Sequence, residues 1–94
     1  MLYARVYLNN DAWEYHILRR YEDRDGGQNL AVRVERLQNP DAFCEWRLPD
    51  VICDKSFGFS EQELLDINEY LRDNESIMWD DYREAVAKDA RRIK

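Results

Sequence analysis

The first half of the chain alternates apolar and polar residues with a period of two, which is typical of strands with one buried face. This pattern predicts strands over residues 2–8, 13–21, 30–37 and 43–48. Turn sequences separate them: Asn9-Asn10-Asp11, the polar segment around Gly26-Gly27, and Asn39-Pro40-Asp41. We therefore expect about four strands joined by hairpins into an antiparallel meander. Residues 51–53 form a short apolar run, either a further edge strand or a buried connection.

From residue 60 onward the apolar period changes to about 3.6, which indicates a helix. Ser60-Glu61-Gln62-Glu63 matches a capping box, in which a serine hydroxyl and a glutamate carboxylate bind the first backbone amides. The apolar stripe that follows contains Leu64, Ile67, Leu71, Trp79, Tyr82 and Val86. Asn74 is suited to end one helix and Ser76 to begin another. One bent helix is the alternative to two.

Strands followed by helices predict an α+β fold, with one or two C-terminal helices packed on one face of the sheet. We expect a single domain over residues 1–94, strand-rich over 2–53 and helical over 60–94. Its core should join the apolar stripe of the helical part to Val6, Ile17, Val32 and Trp46.

The formal net charge of −6 argues against direct binding to nucleic acid, because phosphate binding depends on lysine and arginine. The charge is uneven: residues 60–84 contain nine acids and two arginines. No segment is long and apolar enough for a membrane span or a signal peptide, so the expected compartment is the cytoplasm. Cys44 and Cys53 are expected to be free, partly buried thiols.

Candidate chemistry is sparse. His16 is the only histidine, and there is no CxxC pair, so the spacing of a zinc site is absent. A dyad of His16 with Cys44 or Cys53 is the one catalytic arrangement that these residue types offer, against the alternative of a sheet-face histidine and packed thiols. Three glycines in all exclude a glycine-rich phosphate cradle. We therefore predict no catalytic residue, no cofactor and no metal site, and a protein that is not an enzyme.

Acidic residues of the helical part are the most distinctive feature of the sequence. Asp66, Glu69 and Asp73 fall at i, i+3 and i+7, which predicts a row of carboxylates along one ridge. Glu61 and Asp80 would extend the row. The row is either a surface that imitates nucleic-acid phosphates or simply the solvated face of an amphipathic helix.

Aromatic residues of the first two strands suggest a second surface. Tyr3, Tyr7, Trp13 and Tyr15 are candidates for the sheet face that the helices leave uncovered. Tyrosine and tryptophan are favoured in protein interfaces, and Tyr7 and Trp13 are the predicted contacts here. The alternative is that these residues form cross-strand pairs that stabilise the sheet.

The pattern Phe59-Ser60-x-x-Glu63-Leu64, followed by Asn74 and by Trp79-x-x-Tyr82, resembles the C-terminal helical segment of a family of small bacterial proteins. Members of that family have unknown function and are encoded near toxin–antitoxin genes. The resemblance covers about a quarter of the chain, and the family's histidine- and proline-rich strand motif is absent. It assigns no functional residue.

Together these features predict an acidic protein-binding inhibitor that masks a partner's surface, such as a phage or mobile-element anti-defence (anti-CRISPR-like) protein. The expected partner is a nucleic-acid enzyme with a basic groove. Antitoxins and immunity proteins share the same features. A small structural or regulatory homodimer, assembled through the sheet, is the alternative from another class.

Overall fold

A computed structural model describes residues 1–92, and in this range five strands precede one helix. The strands are β1 (Leu2–Tyr7), β2 (Ala12–Glu22), β3 (Gln28–Arg36), β4 (Phe43–Leu48) and β5 (Ile52–Phe57). The helix is α1 (Glu61–Arg92). This α+β arrangement confirms the predicted fold class, with one strand more than expected. The final two residues of the predicted helical part, 93–94, lie outside the described residues.

The five strands form one antiparallel sheet in the order β1-β2-β3-β4-β5, a simple meander. The extra strand, β5, settles the two interpretations of residues 51–53. Val51 occupies the turn before it, buried and with a φ of 56°, a region that β-branched residues rarely adopt. The strand itself begins at Ile52 and pairs along β4.

One face of the sheet carries the core. Ile17, Val32 and Trp46 lie side by side across β2, β3 and β4, and each is at most 4% exposed. Helix α1 covers this face with Ile67 and Leu71, both fully buried. The period-two strands and the period-3.6 helix therefore meet through the faces that the sequence predicts.

The structure decides between the two alternatives for this segment: α1 is a single helix, continuous through Asn74 and Ser76. Asn74 does not cap a helix end, because its Nδ2 donates to the carbonyl of Tyr70 at 2.9 Å. Its Oδ1 accepts a hydrogen bond from the Tyr3 hydroxyl at 3.0 Å, which ties the middle of α1 to β1. A polar side chain with two such partners is satisfied inside the helix.

The predicted core is wrong at Val86, which is 49% exposed. Helix α1 has 32 residues, so it is about 48 Å long, whereas the longest strand, β2, has 11 residues and spans about 37 Å. The last turns of α1 therefore have little sheet beneath them. Within residues 1–92, no helix combines the length and the apolar character that a membrane crossing requires.

Candidate interaction surface

The start of α1 is fixed by the predicted capping box. The Ser60 hydroxyl accepts a hydrogen bond from the Glu63 backbone amide at 3.1 Å, and the Glu63 carboxylate accepts one from the Ser60 amide at 2.8 Å. Two of the unpaired amides at the helix N-terminus are thereby satisfied. The box also holds the Glu63 carboxylate towards the sheet.

Arg36, at the end of β3, joins this helix start to the sheet. Its guanidinium donates to both carboxylate oxygens of Glu63 at 2.7 Å, to the carbonyl of Gly58 at 2.9 and 3.0 Å, and to Asp11. These hydrogen bonds lower the pKa of Glu63 below its usual range, an effect that partial burial opposes. Period-two alternation places Arg36 on the same face as Val34, which was the only sequence signal for this role.

Burial fixes how α1 is rotated about its axis. Ile67, Leu71 and Met78 are fully buried and follow at intervals of four and seven residues, so they share the side that faces the sheet. The opposite side is exposed and carries acidic residues. We call it the acidic ridge, and its members are Asp66, Glu69, Asp73 and Asp80.

The ridge is long and only partly compensated. From Asp66 to Asp80 it extends over about 21 Å of helix. Asp66 accepts a hydrogen bond from Gln62 at 3.1 Å, and Asp80 forms an exposed ion pair with Arg83 at 3.2 Å. Among residues 1–92, Glu69 and Asp73 form no ion pair. Their charges are therefore open to an external partner.

Not every predicted member joins the ridge. Glu61 is exposed in the first turn of α1, but it lies about a third of a turn around the axis from Asp73. Two aliphatic residues on this helix are also exposed. Leu65, whose helical spacing predicts a place beside the apolar stripe, is 63% exposed, and Ile77 is 51% exposed. They lie on either side of the ridge, and exposed apolar residues beside charged ones are suited to contact with another protein.

The aromatic surface divides into buried and exposed members. Tyr7 is 72% exposed, as expected, whereas the expected exposure is wrong for Trp13 and Tyr15, which are 4% and 2% exposed. Both side chains lie on the core face of β2, where Trp13 packs edge-to-face on Phe59 with ring centroids 5.5 Å apart. Their period-two match to Ile17, which the sequence already showed, is the physical reason. Trp13 is therefore a core residue.

The other face of the sheet carries a network of charged side chains, and no element within residues 1–92 covers it. Arg33 bridges Glu35 at 2.7 Å and Glu45 at 3.1 Å, and Arg5 pairs with Glu14. These charges largely compensate one another. On the ridge, in contrast, Glu69 and Asp73 have no ion-pair partner among residues 1–92.

The two cysteines are free thiols. Burial raises the pKa of Cys44 to about 12, although a hydrogen bond from the Trp46 indole opposes the change. Burial also raises the pKa of Cys53. The dyad that residue types alone offered does not form with Cys44, because His16 lies on the charged face of the sheet and Cys44 in the core. A neutral, buried thiol is also a poor nucleophile.

Comparison of the chain with protein-family models, with curated proteins and with solved structures finds no match in any of the three. The resemblance in the helical segment gains no support from these comparisons. Any functional argument must therefore start from the surface itself.

Proposed function

We propose that this protein is a non-enzymatic inhibitor that binds a protein partner through the acidic ridge and masks a basic surface on it. The observation that supports this proposal is the open charge of the ridge: Glu69 and Asp73 lie exposed on α1 without an ion pair among residues 1–92. A helix with a complementary charge pattern can dock in a basic groove and exclude its usual ligand.

We propose a nucleic-acid enzyme as the partner, because a row of carboxylates can contact the basic side chains that such an enzyme uses to bind phosphates. The ridge presents four carboxylates over about 21 Å, roughly one per 7 Å, whereas one strand of duplex DNA presents a phosphate about every 3.4 Å. The ridge thus offers about half the charge density of one strand. Leu65 and Ile77 add apolar contacts that a phosphate backbone lacks. These contacts would help the inhibitor to compete with nucleic acid for the same groove.

The specific role that we propose is that of a phage or mobile-element anti-defence protein of the anti-CRISPR type, acting in the cytoplasm. Free thiols are typical of that reducing compartment. An antitoxin or immunity protein would use the same ridge against a basic toxin surface. Identification of the partner distinguishes these roles.

A second candidate function rests on the edges of the sheet. β1 and β5 each pair on one side only, and Tyr7 on β1 is 72% exposed. An open edge with an exposed aromatic residue is suited to pair with a second copy of the chain. In that case the protein would be a structural or regulatory homodimer, and the acidic ridge would be a solvated face.

The test compares the parent protein with the charge-reversal variant D66K/E69K/D73K. Affinity capture followed by mass spectrometry recovers the partner, and binding kinetics are then measured at low and high salt. We expect the variant to associate at least tenfold more slowly, and the parent to bind more weakly as salt rises.

The matched control is D25K/D41K/D50K. It changes the net charge by the same amount, from −6 to 0, at three exposed acids in loops away from the ridge. If both variants lose binding equally, net charge and not the ridge is responsible. Unchanged kinetics for the ridge variant, with a dimer that Tyr7→Ala disrupts in sedimentation, would favour the homodimer instead.

A further inference from the structure

Three metal-ligating side chains converge on the charged face of the sheet, opposite the acidic ridge. Glu14 and Glu35 are direct cross-strand partners on β2 and β3, and His16 follows Glu14 by two residues on the same face. One carboxylate oxygen from each glutamate and one imidazole nitrogen lie within 4.8 Å of one another. We call these residues the three-ligand cluster.

The distances in the cluster suit a tetrahedral metal ion. The Nε2 atom of His16 is 3.4 Å from Oε1 of Glu14 and 3.6 Å from Oε1 of Glu35. Zinc binds nitrogen and oxygen ligands at about 2.0–2.1 Å, so the ligands of a tetrahedral site are about 3.3–3.4 Å apart. In two of the three ligand pairs the distance between the ligand atoms is therefore close to the one that a tetrahedral site requires.

The carboxylates are held so that one oxygen of each faces the imidazole. Arg5 donates to Oε2 of Glu14, and the Nε of Arg33 donates to Oε2 of Glu35 at 2.7 Å. Each Oε1 atom is left to point at His16. Outer contacts of this kind orient the ligands of metal sites.

The imidazole nitrogen between them lacks a partner. Nε2 of His16 is inaccessible to solvent and forms no hydrogen bond with residues 1–92, although an oxygen of each glutamate lies within 4 Å of it. Buried polar atoms are almost always satisfied, so a nitrogen without a hydrogen bond between two carboxylate oxygens is a candidate metal ligand.

We propose that Glu14, His16 and Glu35 bind one divalent transition-metal ion of the zinc class. Imidazole nitrogen with carboxylate oxygen is a donor set that zinc accepts, and the open face of the sheet leaves the fourth position to water. The site was hidden in the sequence because Glu35 reaches the other two ligands only through the β2–β3 register. It is independent of the acidic ridge and of the proposed partner.

The sole histidine makes the test unambiguous. The full chain is titrated with ZnCl2 and followed by calorimetry and by imidazole ¹⁵N NMR, in which all signals belong to His16. We expect one zinc ion per chain and a shift of the Nε2 resonance on saturation. Co²⁺ in place of zinc should give the visible absorption of a four-coordinate site.

His16→Ala and Glu35→Gln should each weaken zinc binding at least tenfold. Glu45→Gln is the matched control, because Glu45 also pairs with Arg33 on this face but lies outside the cluster. Glu35→Gln keeps the side-chain shape, so it remains informative if His16→Ala fails to fold.

Three results would overturn the proposal: no zinc binding by the parent, binding that both cluster variants retain, or an Nε2 resonance that zinc leaves unchanged. In each case the cluster would be part of the charged network of this face and not a metal site.

Discussion

Arg36 shows how one side chain connects parts of the chain that are distant in sequence. It lies at the end of β3 and contacts the β1–β2 turn at Asp11 and the helix start at Glu63. Its guanidinium also lies over the ring of Phe59, 4.5 Å from the centroid. Only the planar guanidinium supplies so many donors in fixed directions, so lysine could not replace it.

The ion pair of Arg36 with Glu63 should make the stability of the fold depend on pH. The pKa of Glu63 is lower in the folded protein than in the unfolded chain, chiefly because Arg36 donates to its carboxylate. The stabilisation is therefore present above the ordinary glutamate pKa and is lost as pH falls through the lowered value. Urea denaturation between about pH 5 and about pH 2 should show this loss.

Glu63→Gln should reduce this loss of stability at acid pH. It should also lower the free energy of unfolding at neutral pH by about 1.5–3 kcal/mol, the range for hydrogen bonds to charged groups. Glu69→Gln is the control, since Glu69 is exposed and outside any ion pair among residues 1–92. If the free energy of unfolding falls equally steeply with acid pH in both variants, the ion pair of Arg36 with Glu63 contributes little to the pH dependence.

At the scale of elements, α1 and the sheet are held together by a few fully buried side chains. Leu71→Ala should lower the free energy of unfolding by about 2–5 kcal/mol, because it opens a cavity in the core. Leu65→Ala makes the same chemical change in the same helix at a position that is 63% exposed. Its effect should stay within about 0.5 kcal/mol. Equal denaturation midpoints for the two variants would contradict the rotation of α1 described here.

The same elements show what the sequence could and could not predict. Period-two and period-3.6 patterns were sufficient for β1 to β4 and for the start of α1, because local burial dictates both. The pattern left one or two helices open at Asn74, because the hydrogen bond that Asn74 accepts from Tyr3 joins residues 71 positions apart. The exposure predicted for Trp13 is wrong for another reason: its period-two match to Ile17 places it on the core face, although tryptophan is also favoured in interfaces.

The two candidate sites also differ in whether they depend on one element or on residues that are distant in sequence. The acidic ridge could be predicted, because helical spacing alone places Asp66, Glu69 and Asp73 on one side. The three-ligand cluster could not, because it depends on strand register. Local periodicity reveals a site on one element, whereas a site shared by two strands requires the fold.

At the scale of the whole molecule, the ridge concentrates like charges that should cost stability. Asp66 and Glu69 are three residues apart, and Glu69 and Asp73 four, so each pair repels along the helix. Such pairs destabilise a helix by about 0.2–0.5 kcal/mol each. A ridge that lowers stability is better explained by binding than by folding, since functional surfaces often carry such a cost.

The neutral variant D66N/E69Q/D73N tests this argument. Asparagine and glutamine have helix propensities close to those of the acids that they replace, so the change is mainly electrostatic. We expect the free energy of unfolding to rise by about 0.4–1 kcal/mol at low salt, as two repelling pairs are removed. The gain should shrink at high salt, because exposed charges are then screened over a few ångströms. Urea denaturation of both proteins at two salt concentrations measures it. A variant that is less stable than the parent would show that the carboxylates support the fold, and the stability argument for a binding role of the ridge would then fail.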